Sequence, residues 1–284
     1  MKIKEALHNT AKTLATATID EAALEAELLL MHVMGIERSG LYSKLEEDLP
    51  SIYSPQLSNL VTRRLTREPT AYILGHREFY GLDFYVGSGA LIPRPETETL
   101  VDEAIALVRR DFPLGDPIIA DVGTGSGAIA VSLAHSLPKA KVYATDISPE
   151  ALDIATLNCI RHDVRVELLQ GNLLEPLPQP VDIIVANLPY VRDDEMDGLS
   201  EEIRCYEPRV ALSGGTDGLD VIRRLIINAP KKLGDSGTVL LEIAPSQAES
   251  LVSWAKGVGS WERVDVMNDG GGFSRLIKMV LTKR

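Results

Sequence analysis

Apolar residues at Ala22, Ala23, Ala26, Leu28, Leu29, Leu30 and Val33 recur at helical spacing. They predict an amphipathic helix that Asp20 caps and Gly35 ends. Pro55, with Ser54 before it, suits the first turn of a further helix through Arg67, which Pro69 stops. Residues 1–72 therefore read as an N-terminal helical domain. From Ala71 to Ile92 the period changes. The run Phe79-Tyr80-Gly81-Leu82-Asp83-Phe84-Tyr85-Val86 alternates around a glycine, so residues 73–92 are expected to form a β-hairpin linker. Pro93 and Pro95 break any element, and Pro95-Glu96 can open a helix running to Arg110 at the head of a domain spanning 93–284.

The remainder alternates strand and helix. Strands are expected at Pro117–Val122, Lys141–Thr145, Val164–Leu169, Val181–Ala186, Thr238–Ile243, Glu262–Met267 and Ser274–Leu281. Helices are expected at Ala128–Leu137, Pro149–Arg161, Leu219–Leu233 and Gln247–Lys256. This alternation implies right-handed crossovers and an α/β fold built on a mostly parallel, doubly wound sheet. The link between the last two strands is short and helix-free, so they form an antiparallel hairpin at the sheet edge.

Composition and charge narrow the picture. The 284 residues are 45% hydrophobic with a formal net charge of -12, enough for a buried core and too apolar for a disordered chain. The acid excess argues against a phosphate-tracking surface and hence against nucleic acid as a partner. Arg63, Arg64, Arg67 and Arg77 concentrate positive charge locally and read as a solvated helix face. Two cysteines, Cys159 and Cys205, exclude a disulfide framework and fit a reducing cytoplasm. Met1-Lys2-Ile3-Lys4-Glu5 lacks the apolar segment of a signal peptide, and no run approaches the roughly 18 apolar residues that span a bilayer. A cytoplasmic monomer without a membrane partner is the expectation.

The candidate chemistry lies at strand ends. In Ile118-Ile119-Ala120-Asp121-Val122-Gly123-Thr124-Gly125-Ser126-Gly127-Ala128 a strand runs into a glycine-rich turn that opens a helix, so backbone can approach a ligand at the carboxyl edge of the sheet. Asp146, ending the next strand, can accept hydrogen bonds from a ribose diol, as in sites for NAD and for S-adenosylmethionine. Asp121 discriminates between them. Beside a pyrophosphate it adds repulsion of roughly a kilocalorie or more, whereas the ammonium and sulfonium of S-adenosylmethionine suit its sign. The bland alternative for Asp121 is a carboxylate bonded to loop amides.

Val181-Asp182-Ile183-Ile184-Val185-Ala186-Asn187-Leu188-Pro189-Tyr190 places Asn187 just past a buried strand. Its side-chain oxygen can accept a hydrogen from a planar NH₂ group, and the Leu188 carbonyl can take the second. Tyr190 is expected to pack on the acceptor's flat face. An amide nitrogen is a poor nucleophile with a delocalised lone pair; orienting it supplies proximity, and drawing on its hydrogens raises its electron density. The competing reading is a plain strand-end turn of Asn and Pro.

Asp121–Gly127, Thr145-Asp146-Ile147-Ser148 and Asn187–Tyr190 resemble class I methyltransferases that modify planar nitrogens, with a Rossmann-like seven-stranded sheet whose last strand is antiparallel. Ala71-Tyr-Ile-Leu-Gly75, Glu78-Phe79, Gly81-Leu82 and Ile92-Pro-Arg-Pro-Glu-Thr-Glu98 resemble the bacterial release factor glutamine methyltransferases over almost the whole chain. The resemblance implies methyl transfer from S-adenosylmethionine, leaving S-adenosylhomocysteine, to N5 of the glutamine in the Gly-Gly-Gln motif of class 1 peptide chain release factors. It places Asp121, Gly123, Thr124, Gly125, Ser126, Gly127, Asp146, Asn172 or Leu173, and Asn187 at the cofactor. It places Asn187, Leu188, Pro189 and Tyr190 at the glutamine, with Phe79 walling the pocket and the helical domain gripping the release factor. The family's usual Asn-Pro-Pro-Tyr reads Asn187-Leu188-Pro189-Tyr190, which keeps the carbonyl at 188 but loses a fixed φ. An acid or aromatic is more usual than Asn172-Leu173.

Two other readings stay open. Asn-Leu-Pro-Tyr also resembles ribosomal RNA adenine dimethyltransferases, so an adenine N6-methyltransferase acting on ribosomal RNA or DNA is the alternative. A non-catalytic nucleoside-binding module is the other, against which an intact Asn187 and Tyr190 speak. The histidines His8, His32, His76, His135 and His162 lack ligand spacing, and no metal is expected. Ser126 lacks the surroundings of a nucleophile elbow. Trp254 and Trp261 read as core or rim, and Gly270-Gly271-Gly272 as the last hairpin loop.

Overall fold

The computed structural model describes residues 1–283. Helices α1 (Ile3–Thr16), α2 (Ala22–Met34), α3 (Arg38–Ser43), α4 (Tyr53–Leu65) and α5 (Thr70–Leu74) come first. The hairpin strands β1 (His76–Phe79) and β2 (Leu82–Tyr85) follow, then α6 (Glu98–Asp111), β3 (Ile118–Val122), α7 (Ala128–Ser136), β4 (Lys141–Asp146), α8 (Pro149–Arg161), β5 (Val166–Gln170) and β6 (Val181–Ala186). The chain ends with α9 (Glu201–Tyr206), α10 (Asp220–Asn228), β7 (Leu233–Glu242), α11 (Ala248–Gly257), β8 (Trp261–Asn268) and β9 (Ser274–Leu281). Two units result: one of residues 1–75 with 200–206, the other of 76–199 with 207–284.

The first unit is helical. Ile3, Leu14, Leu29, Leu30 and Leu41 are completely buried in its core. Gly35 ends α2 in the left-handed region at φ 63°, as its position predicts. Two starts differ from expectation. Asp20 does not cap α2, which begins after Glu21, and α4 begins at Tyr53, so Pro55 lies inside its first turn, where its missing N–H costs nothing. Of the four arginines Arg77 is exposed and Arg63 and Arg67 are half-buried, but Arg64 does not belong to a solvated face. Arg64 is 2% exposed, its Nε 2.5 Å from Glu25 and its Nη2 2.5 Å from Glu202, while Arg63 pairs with Glu68 at 2.6 Å. Glu202 comes from α9, an element that the apolar pattern did not signal because none of its residues is buried.

The second unit is a seven-stranded sheet in the order β5-β4-β3-β6-β7-β9-β8. β5, β4, β3, β6 and β7 run parallel; β9 is antiparallel to both β7 and β8. The final hairpin is at the edge as expected, with its first strand outermost and the last strand of the chain tucked inside. Helices cover the faces because the central strands are apolar on both sides: Ile183, Ile184 and Val185 are all completely buried. The long helix expected at Leu219–Leu233 stops at Asn228 and tightens to a 3₁₀ turn over Ala229–Lys231, where Pro230 cannot donate. β7 instead begins at Leu233, earlier than its apolar run, with a register irregularity against β6.

Strand order reverses at β3, since β4 and β5 lie on one side and β6 and β7 on the other. In register, Asp121 lies beside Ala144 on β4 and Val185 on β6. The glycine turn, Asp146 and Asn187 therefore leave three adjacent strands at one carboxyl edge, where a crevice opens in sheets of this type.

Candidate active site

The glycine turn is shaped by three left-handed residues, Gly123, Gly125 and Gly127, at φ 75°, 56° and 80°. Gly123 and Thr124 donate their N–H groups to the Thr145 carbonyl at 2.8 and 3.0 Å, which ties the turn to the end of β4. A Cβ on Gly127 would meet Ala155 of α8 at 3.1 Å, so this glycine serves close packing of α7 on α8. The Asp146 carboxylate accepts from Gly125 N–H at 2.8 Å and from Ser148 N–H at 2.9 Å, one bond on each oxygen. Each oxygen keeps lone-pair capacity for a hydroxyl.

These elements enclose a cavity of about 220 Å³. It brings together Phe79, Gly123, Thr124, Gly125, Ser126, Asp146, Asn172, Leu173, Asn187, Leu188 and Pro189. Asn172 is held between Arg224, which donates to its Oδ1 at 3.0 Å, and Glu175, to which it donates at 3.2 Å. Leu173 is left-handed at φ 52°, and its carbonyl accepts from the buried Thr145 hydroxyl at 2.8 Å. A leucine in that region is strained, and the Thr145 bond helps to hold it there.

Three expected site residues do not line the cavity: Asp121, Gly127 and Tyr190. Asp121 is fully buried beneath the turn, where its Oδ2 accepts from Thr124 Oγ1 at 2.6 Å and from Ala130 N–H at 3.1 Å. Its Oδ1 has no hydrogen-bond partner among the described residues. Burial pushes its pKa up to about 7, against the pull of those two bonds. The Tyr190 side chain lies against the core behind the turn, and burial raises its pKa to about 12. The run Asn187–Tyr190 fixes the direction of the backbone and not on which side of it the ring falls.

Several residues that build the site carry weak local signals. Asn187 Nδ2 donates to Thr97 Oγ1 at 3.0 Å, so Oδ1 is the acceptor the side chain presents. Asn158 is completely buried on α8. Its Oδ1 accepts from Tyr85 N–H at 2.7 Å, and its Nδ2 donates to the carbonyls of Tyr85 at 3.0 Å and Ser126 at 2.8 Å, joining hairpin to glycine turn. An asparagine inside a helix, where it is a poor former, is the sequence cue. Gly214 lets a loop press on the acceptor turn, since a Cβ there would lie 2.7 Å from the Pro189 carbonyl oxygen. Arg94 bridges the buried Glu207 at 2.5 Å on the cavity wall.

The sheet order, the glycine turn and the acid ending the next strand define a Rossmann-like methyltransferase. A solved methyltransferase from Pyrococcus furiosus shares the fold, with a TM-score of 0.51 and 21% identity over 80% of this chain and 100% of that one. Residues 5–75 match the model of the PrmC N-terminal domain, and 98–205 that of the methyltransferase small domain. The release factor glutamine methyltransferase of Moorella thermoacetica is 41% identical, covering 97% of both chains. That of Geobacter sulfurreducens is 42% identical over 88% of this chain and 87% of its own. The chain belongs to the release factor glutamine methyltransferase family.

Proposed function

We propose that the protein transfers a methyl group from S-adenosylmethionine to the side-chain amide nitrogen of the Gly-Gly-Gln glutamine of class 1 peptide chain release factors. One observation carries the site reading. Asn187 has its Nδ2 committed to Thr97 and lines the same cavity as the glycine turn and Asp146. With Nδ2 drawn toward Thr97, Oδ1 is free to accept, which suits a planar NH₂ group with two hydrogens to give.

The cavity suits the cofactor. Gly125 has no atom within 4 Å of where a Cβ would stand, so the turn leaves room for a ligand against its backbone. When bound, S-adenosylmethionine supplies an electrophilic methyl group on a cationic sulfur. Gly123, Thr124, Gly125 and Ser126 would border its methionine part, and Asp146 its ribose. Leu173 and Asn172 would stand on the adenine side. Asp121, one layer down, contributes charge through the turn instead of direct contact.

Asn187 Oδ1 and the Leu188 carbonyl take the two hydrogens of the glutamine amide and fix its plane. Both acceptors withdraw positive charge from a nitrogen whose lone pair must become available, an effect that grows toward the transition state. Phe79 walls the acceptor. Tyr190 backs the turn, its carbonyl accepting from Gln247 Nε2 at 3.0 Å. The helical unit supplies the surface for the release factor. No helix of the described residues is long and apolar enough to cross a membrane. The net charge of -12 favours a protein substrate over nucleic acid.

The test supplies tritiated S-adenosylmethionine to unmethylated release factor and, in parallel, to ribosomal RNA, with mass spectrometry of the labelled product. One methyl on the glutamine is expected; label on adenine alone overturns the substrate assignment. Asn187→Ala is expected to lower turnover at least about a hundredfold while leaving cofactor affinity within about threefold. Unchanged turnover would sink the role of Asn187.

A further inference from the structure

The glycine turn, Asp146 and Asn187 are held by the strands that carry them, but two walls of the cavity have no strand behind them. Residues 89–94 form one of these walls and run irregularly from the hairpin to the short 3₁₀ turn Pro95–Thr97. Pro208, Val210 and Ala211 form the other, on a single 3₁₀ turn over Arg209–Ala211. Segments without a ladder of backbone bonds keep their place through turn bonds and side chains.

Each wall is tied to the acceptor turn. On the first, Thr97 donates its N–H to the Arg94 carbonyl at 3.1 Å, and its hydroxyl accepts from Asn187 Nδ2 at 3.0 Å. On the second, the Leu212 carbonyl accepts from Val191 N–H at 2.9 Å, and Gly214 N–H donates to the Val191 carbonyl at 2.8 Å. The two walls are joined to each other by the ion pair of Arg94 and Glu207, at 2.5 Å across 113 positions of sequence. These contacts close a ring. It runs from Asn187 through Thr97 and Arg94 to Glu207, and back through Leu212 to Val191. Asn187, Thr97, Arg94, Pro208 and Ala211 of that ring all line the cavity.

The ion pair is a costly way to make a purely structural bond. The Glu207 side chain is 1% exposed and that of Arg94 31% exposed, so a carboxylate has been taken out of water. Such a pair is worth little more to stability than apolar side chains of similar volume. What it supplies beyond them is direction, because a planar guanidinium meets a carboxylate in few geometries. We propose that Arg94 and Glu207 are positioning residues whose ion pair clasps the two walls together, sets where Thr97 stands against Asn187, and so fixes the angle at which the acceptor amide is presented. Neither takes part in the transfer itself. This rests on the assignment of Asn187 as the group that holds the glutamine amide. Displacing a reacting group by roughly 1 Å can cost about a hundredfold in rate. The loss falls on kcat, because the glutamine still binds but reaches the aligned geometry less often.

The experiment measures kcat and KM for methyl transfer to unmethylated release factor in the full chain, with cofactor affinity by calorimetry and melting temperature by circular dichroism. Arg94→Met and Glu207→Leu each strip one charge from the pair, so each single variant is expected to melt lower. The double variant removes both charges and is expected to regain the melting temperature of the natural chain within a few degrees. It should bind S-adenosylmethionine within about threefold and still turn over about ten- to a hundredfold more slowly at unchanged KM. Arg94→Lys keeps the charge on a shorter, non-planar head and so keeps the fold; it is expected to lose about tenfold in kcat. Full kcat in the double variant or in Arg94→Lys overturns the clasp. A raised KM with kcat unchanged overturns it too, since that is the mark of a plain binding contact. Normal turnover in Asn187→Ala instead overturns the site reading beneath it, so the two failures are distinguishable.

Discussion

At the scale of single residues, this protein places acids where water cannot reach them. Asp121 retains one unpartnered oxygen under the glycine turn, which a purely structural carboxylate would be expected to satisfy. Its pKa of about 7 in the fold compares with about 3.9 for an unperturbed aspartate. Between those values the folded chain holds a proton that the unfolded chain has lost, so stability falls as pH rises through that window and levels above it. Asp121→Asn should therefore flatten the decline of melting temperature from pH 5 to 7.5. A variant whose slope equals that of the natural chain would show that Asp121 is ionised in the fold. The same substitution should weaken S-adenosylmethionine binding about tenfold at pH 8, since a negative charge near a cation is lost.

At the scale of elements, α8 does more than cover the sheet. Its first turn is capped by Ser148, whose Oγ accepts from Ala151 N–H at 3.1 Å, and the Ser148 amide holds Asp146. Farther along, Asn158 spans from the hairpin to the glycine turn with three hydrogen bonds. Asn158→Leu would remove the partner of the Tyr85 N–H and carbonyl, which are part-buried, and of the buried Ser126 carbonyl, the last at about 1–3 kcal/mol before relaxation. It is expected to destabilise the second unit by at least that much in urea melts and to weaken cofactor binding as the turn loosens. Loss of stability with unchanged affinity would show that the turn holds its shape without α8. The strands of the sheet and the helices that cover it were legible because apolar runs, glycines and prolines are local signals, whereas α9, with no buried residue, was not. The true start of β7 was not either, because Gly234, Asp235 and Ser236 near its beginning lie in a register irregularity against β6 and carry no apolar pattern.

At the scale of the whole molecule, the chain assigns two distant segments to one helical unit. Arg64 is the residue that α9 closes upon, through Glu202. Removing the guanidinium leaves Glu25 and the partly exposed Glu202 without their partner, and breaking a buried pair such as Arg64–Glu25 costs about 3–5 kcal/mol. Arg64→Met should make the helical unit unfold at lower urea, followed by far-ultraviolet circular dichroism. A transition unmoved by the substitution would mean that burial of the charge costs as much as its pairing returns.

By itself the sequence determined the order of the strands and of the helices that cover the sheet, the glycine turn, the acid ending β4 and the asparagine just past β6. Each depends on residues adjacent in the chain, and right-handed crossovers then bring the strand ends to one edge. Only the tertiary structure decided what meets across long separations. Thr97 reaches Asn187 from 90 residues away, Asn158 reaches Tyr85 from 73, and Arg64 reaches Glu202 from 138. The depth of Asp121 and the direction of the Tyr190 ring belong to the same class. A period along the chain says that a side chain is buried but not which partner it is buried against; the partner is chosen by register, crossover and packing of the assembled sheet.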